Sequence, residues 1–161
     1  MTTIEFIKSA LEMSKGWILG MAADMQDAPL TFPTPNGGNH PMWALGHLTY
    51  SEANLTQELI KGEANPLAEW KGIFGQRTES VADADRYPSF EEVMAKFEET
   101  RTNTLAILDS MTDEDLDKPS HAPEEMKDFF GTNAQCFSGV IIHFAFHGGQ
   151  FADARRAPLM G

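Results

Sequence analysis

Apolar residues return every three or four positions along four long stretches of the chain, the repeat of a helix that turns one face away from water. In the first stretch Ile4, Ile7, Leu11, Ile18, Met21 and Met25 keep that step. Thr2 and Glu5 stand at its start in capping-box spacing, which predicts helix one from Thr2 to about Asp24. The following APLTFPTPNGGNHP (28–41) cannot extend it, because prolines remove donors and glycines relax the backbone. The period resumes with Met42, Leu45, Leu48, Leu55 and Leu59, predicting an amphipathic helix two from Pro41 to about Lys61, with Gly62 as a natural stop. Ser89 and Glu92 form a second capping box, and Phe90, Val93, Met94, Phe97, Leu105, Leu108 and Met111 supply the buried face of helix three. Thr132 is placed to cap helix four, whose segment 136–146 is apolar nearly all round, the pattern of a central, buried helix.

Between helices two and three lies a long connection, 62–88, rich in polar residues and anchored by Trp70, Ile73 and Phe74, with room for a short helical turn. Connections of this length in compact domains often act as lids or crossovers. Residues 112–123 punctuate the chain again before helix four. No internal repeat, low-complexity run or convincing strand interrupts this order. The expected fold is therefore all-α, an up-and-down four-helix bundle with a long crossover between helices two and three. At 161 residues and 42% apolar composition, a single domain over 1–161 has enough material for one core.

Charge narrows the function classes. A formal net charge of -12 leaves no basic surplus to displace counterions from phosphates, so no nucleic-acid partner is expected. The Arg155–Arg156 pair is too small to change that. The start of the chain lacks a basic, then apolar leader pattern, and its longest strongly apolar run, around 140–146, is far below membrane-spanning length. No membrane partner is expected, and with a single cysteine, Cys136, the expected home is the reducing cytoplasm.

The chemistry concentrates in HFAFHGGQ (143–150). Cys136, Val140, His143, His147, Phe151 and Ala154 follow one another at steps of three and four, so both imidazoles lie on a stripe whose other members belong to the core. Residues at i and i+4 have Cβ atoms roughly 5–6 Å apart, close enough for two imidazoles to share one ion. Five histidines in 161 residues yield about 0.15 such pairs by chance, so spacing needs context. Two neutral rings on an apolar stripe are satisfied by a shared metal, or separately by backbone, Asp or Glu partners. A third ligand must come from another helix. His47, in the first half of helix two, is the obvious candidate; His40 lies two turns, roughly 10 Å, from it, and His121 sits in a polar, Pro-flanked loop.

One histidine early in helix two, a long crossover, WKGIFG (70–75), YPSFEE (87–92), MTDEDLDKP (111–119) and HxxxHxGQ in helix four together resemble the DinB superfamily, the DinB/YfiT-like metalloenzymes. The resemblance spans essentially the whole chain. It implies a four-helix bundle with a divalent ion held by His47, His143 and His147, Zn or Ni first and Fe or Mn as further candidates. Relatives include thiol-dependent S-transferases that use bacillithiol, mycothiol or glutathione, and maleylpyruvate isomerases. Dimers are common among them, so a homodimer is an open expectation.

Three neutral imidazoles leave an ion dipositive and with an open position, the pattern of catalytic rather than closed structural sites. Such an ion would deprotonate an external thiol at neutral pH, which suits a chain without an evident nucleophilic cysteine of its own. HFAFH lacks the glutamate of HExxH, which disfavours a protease. Glu52 interrupts the leucine stripe of helix two and reads either as a carboxylate serving the site as base or orienting partner, or as one pairing with a Lys or Arg. Gln150 reads either as a group positioning water or substrate or as a helix-packing hydrogen bond. Trp43 and Tyr50 flank His47 and either wall a pocket or simply pack. The expected function is transfer of a low-molecular-weight thiol to a small electrophile. The alternatives are a non-catalytic, stress-related bundle held together by its metal, or a metal-dependent hydrolase or isomerase. Gly148 and Gly149, each costing roughly 1 kcal/mol against Ala inside a helix, are expected to let a neighbouring helix or ligand approach.

Overall fold

The computed structural model describes residues 1–24, 31 and 38–156; Met25 and most of the 28–41 loop lie outside the described residues. The chain is all-helical, and the only β-type pairing among the described residues is an isolated bridge between Pro119 and Thr132. Four long helices carry the core: α1 (Thr3–Asp24), α2 (Pro41–Ala53, continued as a π-helical stretch over Asn54–Ile60), α4 (Phe90–Asp109) and α7 (Asn133–Arg156). Short helices α3 (Lys71–Phe74), α5 (Asp113–Leu116) and α6 (Lys127–Phe130) lie in the connections. Helix α1 packs on α7 and α4, and α2 packs on α4, α7 and α3.

The local signals act as the sequence implies. Thr2 Oγ1 accepts from the Glu5 N–H at 3.2 Å while a Glu5 carboxylate oxygen accepts from the Thr2 N–H at 2.7 Å, closing the first capping box. Ser89 Oγ accepts from the Glu92 N–H, and Thr132 Oγ1 from the Gln135 N–H. Pro41 starts α2, where no donor is required, and Gly62 follows its end at φ +68°, a conformation that costs glycine little. A complete capping box between Thr112 and Asp115 adds α5 inside the expected 112–123 break.

One expectation about burial is corrected. The central helix is α2, not α7: every residue from Pro41 to Thr49 is buried, because α4, α7 and α3 pack around that half of α2. Helix α7 instead leaves Ile142 and Phe146 about two-thirds exposed, on the side away from its buried stripe. Apolar composition all round therefore marked the wrong helix, since burial is set by how many neighbours surround an element.

The core also holds a charge, and Glu52 makes the pairing with an Arg that its place in helix two left open. Arg101 of α4 is fully buried, and its Nε and Nη2 donate to the two Glu52 carboxylate oxygens at 2.7 and 2.9 Å. Its Nη1 donates to the Leu11 carbonyl, and its guanidinium lies 4.6 Å from the centre of the Phe144 ring. One side chain thus touches α1, α2 and α7. Each donor direction of the planar fork used here has an acceptor, which is the condition for keeping such a charge in the core.

Candidate metal centre

His47 points inward from the enclosed half of α2, and His143 and His147 from successive turns of α7. The three rings meet with centroids 4.8 Å apart for His47 and His143, 5.0 Å for His47 and His147, and 4.6 Å for His143 and His147. One nitrogen from each lies within 4.8 Å of the others. His47 Nε2 and His143 Nε2 are 3.1 Å apart. Two nitrogens bound to one ion at about 2.0–2.1 Å stand roughly 2.8–3.4 Å apart at octahedral to tetrahedral angles, so this edge already has the length of a ligand pair.

Hydrogen bonds decide which nitrogens are free. His47 Nδ1 donates to the Phe74 carbonyl at 2.7 Å, leaving the Nε2 lone pair facing the cluster. His147 Nδ1 meets Gln150 Oε1 at 2.8 Å, an oxygen also approached by the Asn39 side-chain amide at 3.5 Å. An acceptor oxygen there requires the proton on Nδ1 and leaves Nε2 of His147 with its lone pair. Metal-binding histidines ordinarily show this arrangement, the second nitrogen anchored to a carbonyl or amide oxygen.

Electrostatics agrees. Burial pushes His47 down to about 4, with the neighbouring His147 adding to the effect against the raising influence of the Phe74 carbonyl. Burial, then the charges of His147 and His47, pushes His143 down to about 3. Burial also lowers His147, opposed by its bond to Gln150. All three are neutral at pH 7, so their lone pairs are available without expelling protons. The donor set, three neutral imidazoles with no carboxylate or thiolate among them, fits a borderline divalent ion.

Other residues singled out by the sequence fall elsewhere. Both Glu52 oxygens are engaged by Arg101 inside the core. Cys136 is buried, and burial pushes its thiol up to about 11, partly offset by Ser120, which removes it as a nucleophile at neutral pH. His40 caps α2, its Nδ1 accepting from the Trp43 N–H at 3.0 Å, and His121 is exposed. Trp43 stacks on His47, with centroids 4.4 Å apart and planes 14° from parallel. Tyr50 is partly buried against the core, and its carbonyl accepts from the Asn65 side chain.

The glycine expectation is half corrected. A Cβ on Gly148 would meet Ile18 and Met21 at an ordinary 3.8 Å, and one on Gly149 would meet nothing within 4 Å. Among the described residues no helix comes close enough to require either. The glycine that packing does require is Gly46, beside His47, whose added Cβ would fall inside the Phe74 ring. Phe74 is fully buried. The sequence marks Phe74 as an anchor of the connection but not as a partner of His47, because that role is carried by a backbone carbonyl, and it does not mark Arg101 as a core residue, because charged residues on a helix normally face water. A glycine within helix two next to a candidate ligand was the one visible signal.

Fold and site together define an all-helical protein whose core holds an inward-facing cluster of three neutral histidines contributed by two helices. The sequence profile of the DinB superfamily matches residues 10–151, and the chain belongs to that superfamily. No curated protein gives a match to this sequence. No described helix is long and apolar enough to cross a membrane.

Proposed function

We propose that this chain is a divalent-metal enzyme that transfers a low-molecular-weight thiol of the bacillithiol, mycothiol or glutathione type to a small electrophile, working in the cytoplasm. The observation that carries the reading is the cluster itself: three neutral imidazoles converge, and two of them have their outer nitrogens fixed by Phe74 and Gln150. His47, His143 and His147 would hold the ion, Zn or Ni by preference and Fe or Mn as further candidates. When bound, the ion supplies Lewis-acid chemistry that makes a thiol or water acidic at neutral pH. In the overall reaction sulfur bonds to the electrophilic carbon, the leaving group departs with its electron pair, and the thiol proton passes to solvent. The thiol must come from outside, because Cys136 is buried with its proton held tightly. Gln150 and Phe74 keep protons on the outer imidazole nitrogens, and the apolar wall of Trp43 keeps water from one face of His47.

We read the four long helices as one up-and-down bundle domain, with the segment between α2 and α4 as its crossover. A homodimer belongs to the same proposal. Phe6, Met13 and Trp17 on α1 and Ile142 and Phe146 on α7 are each more than half exposed. They offer apolar surface to a second copy, which must cover about 800 Å² per partner in a standard interface. Sedimentation at micromolar concentration should give the mass of two chains; a single-chain mass removes this part.

The direct test is a panel of small thiols with a generic electrophile, comparing wild type with His147→Ala after loading with Zn or Ni. Product formation by wild type alone supports the reading, and equal rates remove it. A bundle held together by its metal, a non-catalytic protein, is told apart by unfolding: in that case chelation unfolds the chain, whereas an enzyme stays folded and loses only activity. A metal-dependent hydrolase or isomerase predicts turnover without added thiol.

A further inference from the structure

Three ring N–H groups on one face of α2 grip the crossover in sequence. His40 Nε2 bonds the Val81 carbonyl at 2.7 Å, Trp43 Nε1 donates to Thr78 Oγ1 at 3.0 Å, and His47 Nδ1 bonds the Phe74 carbonyl at 2.7 Å. Along α2 the positions rise by three and four, one helical face; along the crossover the partners fall by three and four, so the segment 74–81 runs back antiparallel to α2 as a strap. Because His40 Nδ1 already accepts from the Trp43 N–H, its Nε2 carries the proton that Val81 receives. Ser80 Oγ accepts from the His40 N–H at 3.1 Å and adds a fourth tie.

Beyond these ties the strap is held by the Val81 N–H, which donates to the Tyr87 hydroxyl at 2.9 Å, and by Phe74, whose ring packs against Trp70 and Tyr87. Gln76, Arg77, Glu79 and Ala82 face solvent, and Arg77 sits at φ +69°, a left-handed conformation that costs a non-glycine residue about 1 kcal/mol or more. The buried anchor is Phe74, which reaches α2 only because Gly46 lacks a Cβ. Thr78 is the hinge between anchor and ties: its hydroxyl accepts from Trp43 and donates back to the Gly75 or Ile73 carbonyl, fixing the turn that presents the Phe74 carbonyl to His47.

We propose that Thr78 and Trp43 are positioning residues for His47, and that strap closure and ion binding are linked. The inference rests on the metal reading above. Trp43 holds the imidazole plane by stacking while its indole N–H holds Thr78, and the strap sets the proton on Nδ1, so the nitrogen left for an ion is Nε2. An ion on that nitrogen makes Nδ1–H a stronger donor and tightens the Phe74 bond; by reciprocity a closed strap strengthens ion binding by the same factor.

The experiment uses full-length wild type, Thr78→Val, Thr78→Ser and Trp43→Phe, which keeps a stacking ring without the N–H. Co2+ titration followed by its visible ligand-field bands reads affinity and site geometry, and trypsin reads the strap by cleavage after Arg77 and Arg86 with and without Zn2+. Thr78→Val and Trp43→Phe should bind Co2+ about 10-fold more weakly with altered bands, and Thr78→Ser should restore both. Zn2+ should slow cleavage after Arg77 several-fold in wild type and much less in Thr78→Val. Wild-type affinity and spectrum in Thr78→Val, or cleavage indifferent to Zn2+ in wild type that binds it, overturns the strap inference alone. Wild type that takes up no ion sinks the metal reading and this inference with it.

Discussion

Gln150 Oε1 stands 2.8 Å from Nδ1 of His147, one helical turn earlier on the same helix, so the ring is oriented by a residue of its own helix. Outer partners of this kind carry about 10- to 100-fold in metal affinity. Gln150→Leu should weaken Zn2+ binding by that factor in a chelator competition, and Gln150→Glu should retain it. Unchanged affinity in Gln150→Leu would leave the amide without an orienting role.

Loss of a ligand should exceed that. His47→Ala, His143→Ala and His147→Ala should each lower affinity by at least ~100-fold, more than an outer partner carries, while elemental analysis of reconstituted wild type gives one ion per chain. A variant among the three that keeps stoichiometric metal is not a ligand.

Acid should weaken the apo fold in a defined window. In an unfolded chain imidazoles take protons near 6.5, whereas burial lowers His47 to about 4 and His143 to about 3 in the fold. Between those values the unfolded chain binds more protons, so stability is fully present above 6.5 and falls as pH drops toward 4 and then 3. The urea midpoint at pH 5 should lie below that at pH 7.5. Metal uptake should persist to lower pH than ordinary imidazoles allow, because burial lowers all three ligands; a decline centred near 6.5 would mean ordinary, solvated histidines.

The Glu52–Arg101 pair should matter to the fold more than to the ion. Removing one partner of a buried pair costs about 3–5 kcal/mol, whereas replacing both with apolar residues costs far less. Arg101→Met should show the large loss in urea unfolding, and Glu52→Leu combined with Arg101→Met should recover much of it. Normal stability in Glu52→Gln with lost turnover would instead return Glu52 to the role of base.

Two glycines should answer oppositely to alanine. Gly149→Ala meets open space and should stabilise α7 by about 1 kcal/mol. Gly46→Ala pushes into the Phe74 ring, so it should destabilise the chain and weaken metal binding through the Phe74 carbonyl. Thermal unfolding and metal competition on both variants decide it.

Features that depend on neighbours along the chain were legible before any fold was known. The step of Ile7, Leu11 and Ile18 defined the inner face of α1, Thr2 with Glu5 marked its start, and the four-residue interval between His143 and His147 put both rings on one stripe. His47 is the histidine in the first half of another long helix, the position that the resemblance to the DinB superfamily also marks. Features that depend on how many elements surround a residue emerged only from the packed fold. It enclosed α2 rather than α7, it brought Arg101 onto Glu52 across 49 residues of chain, and it turned the Phe74 carbonyl, which has no signature in any side chain, onto His47. Periodicity records which face a helix hides; it does not record what arrives to cover the other faces, because that contact is made by residues far apart in sequence and close only in the fold.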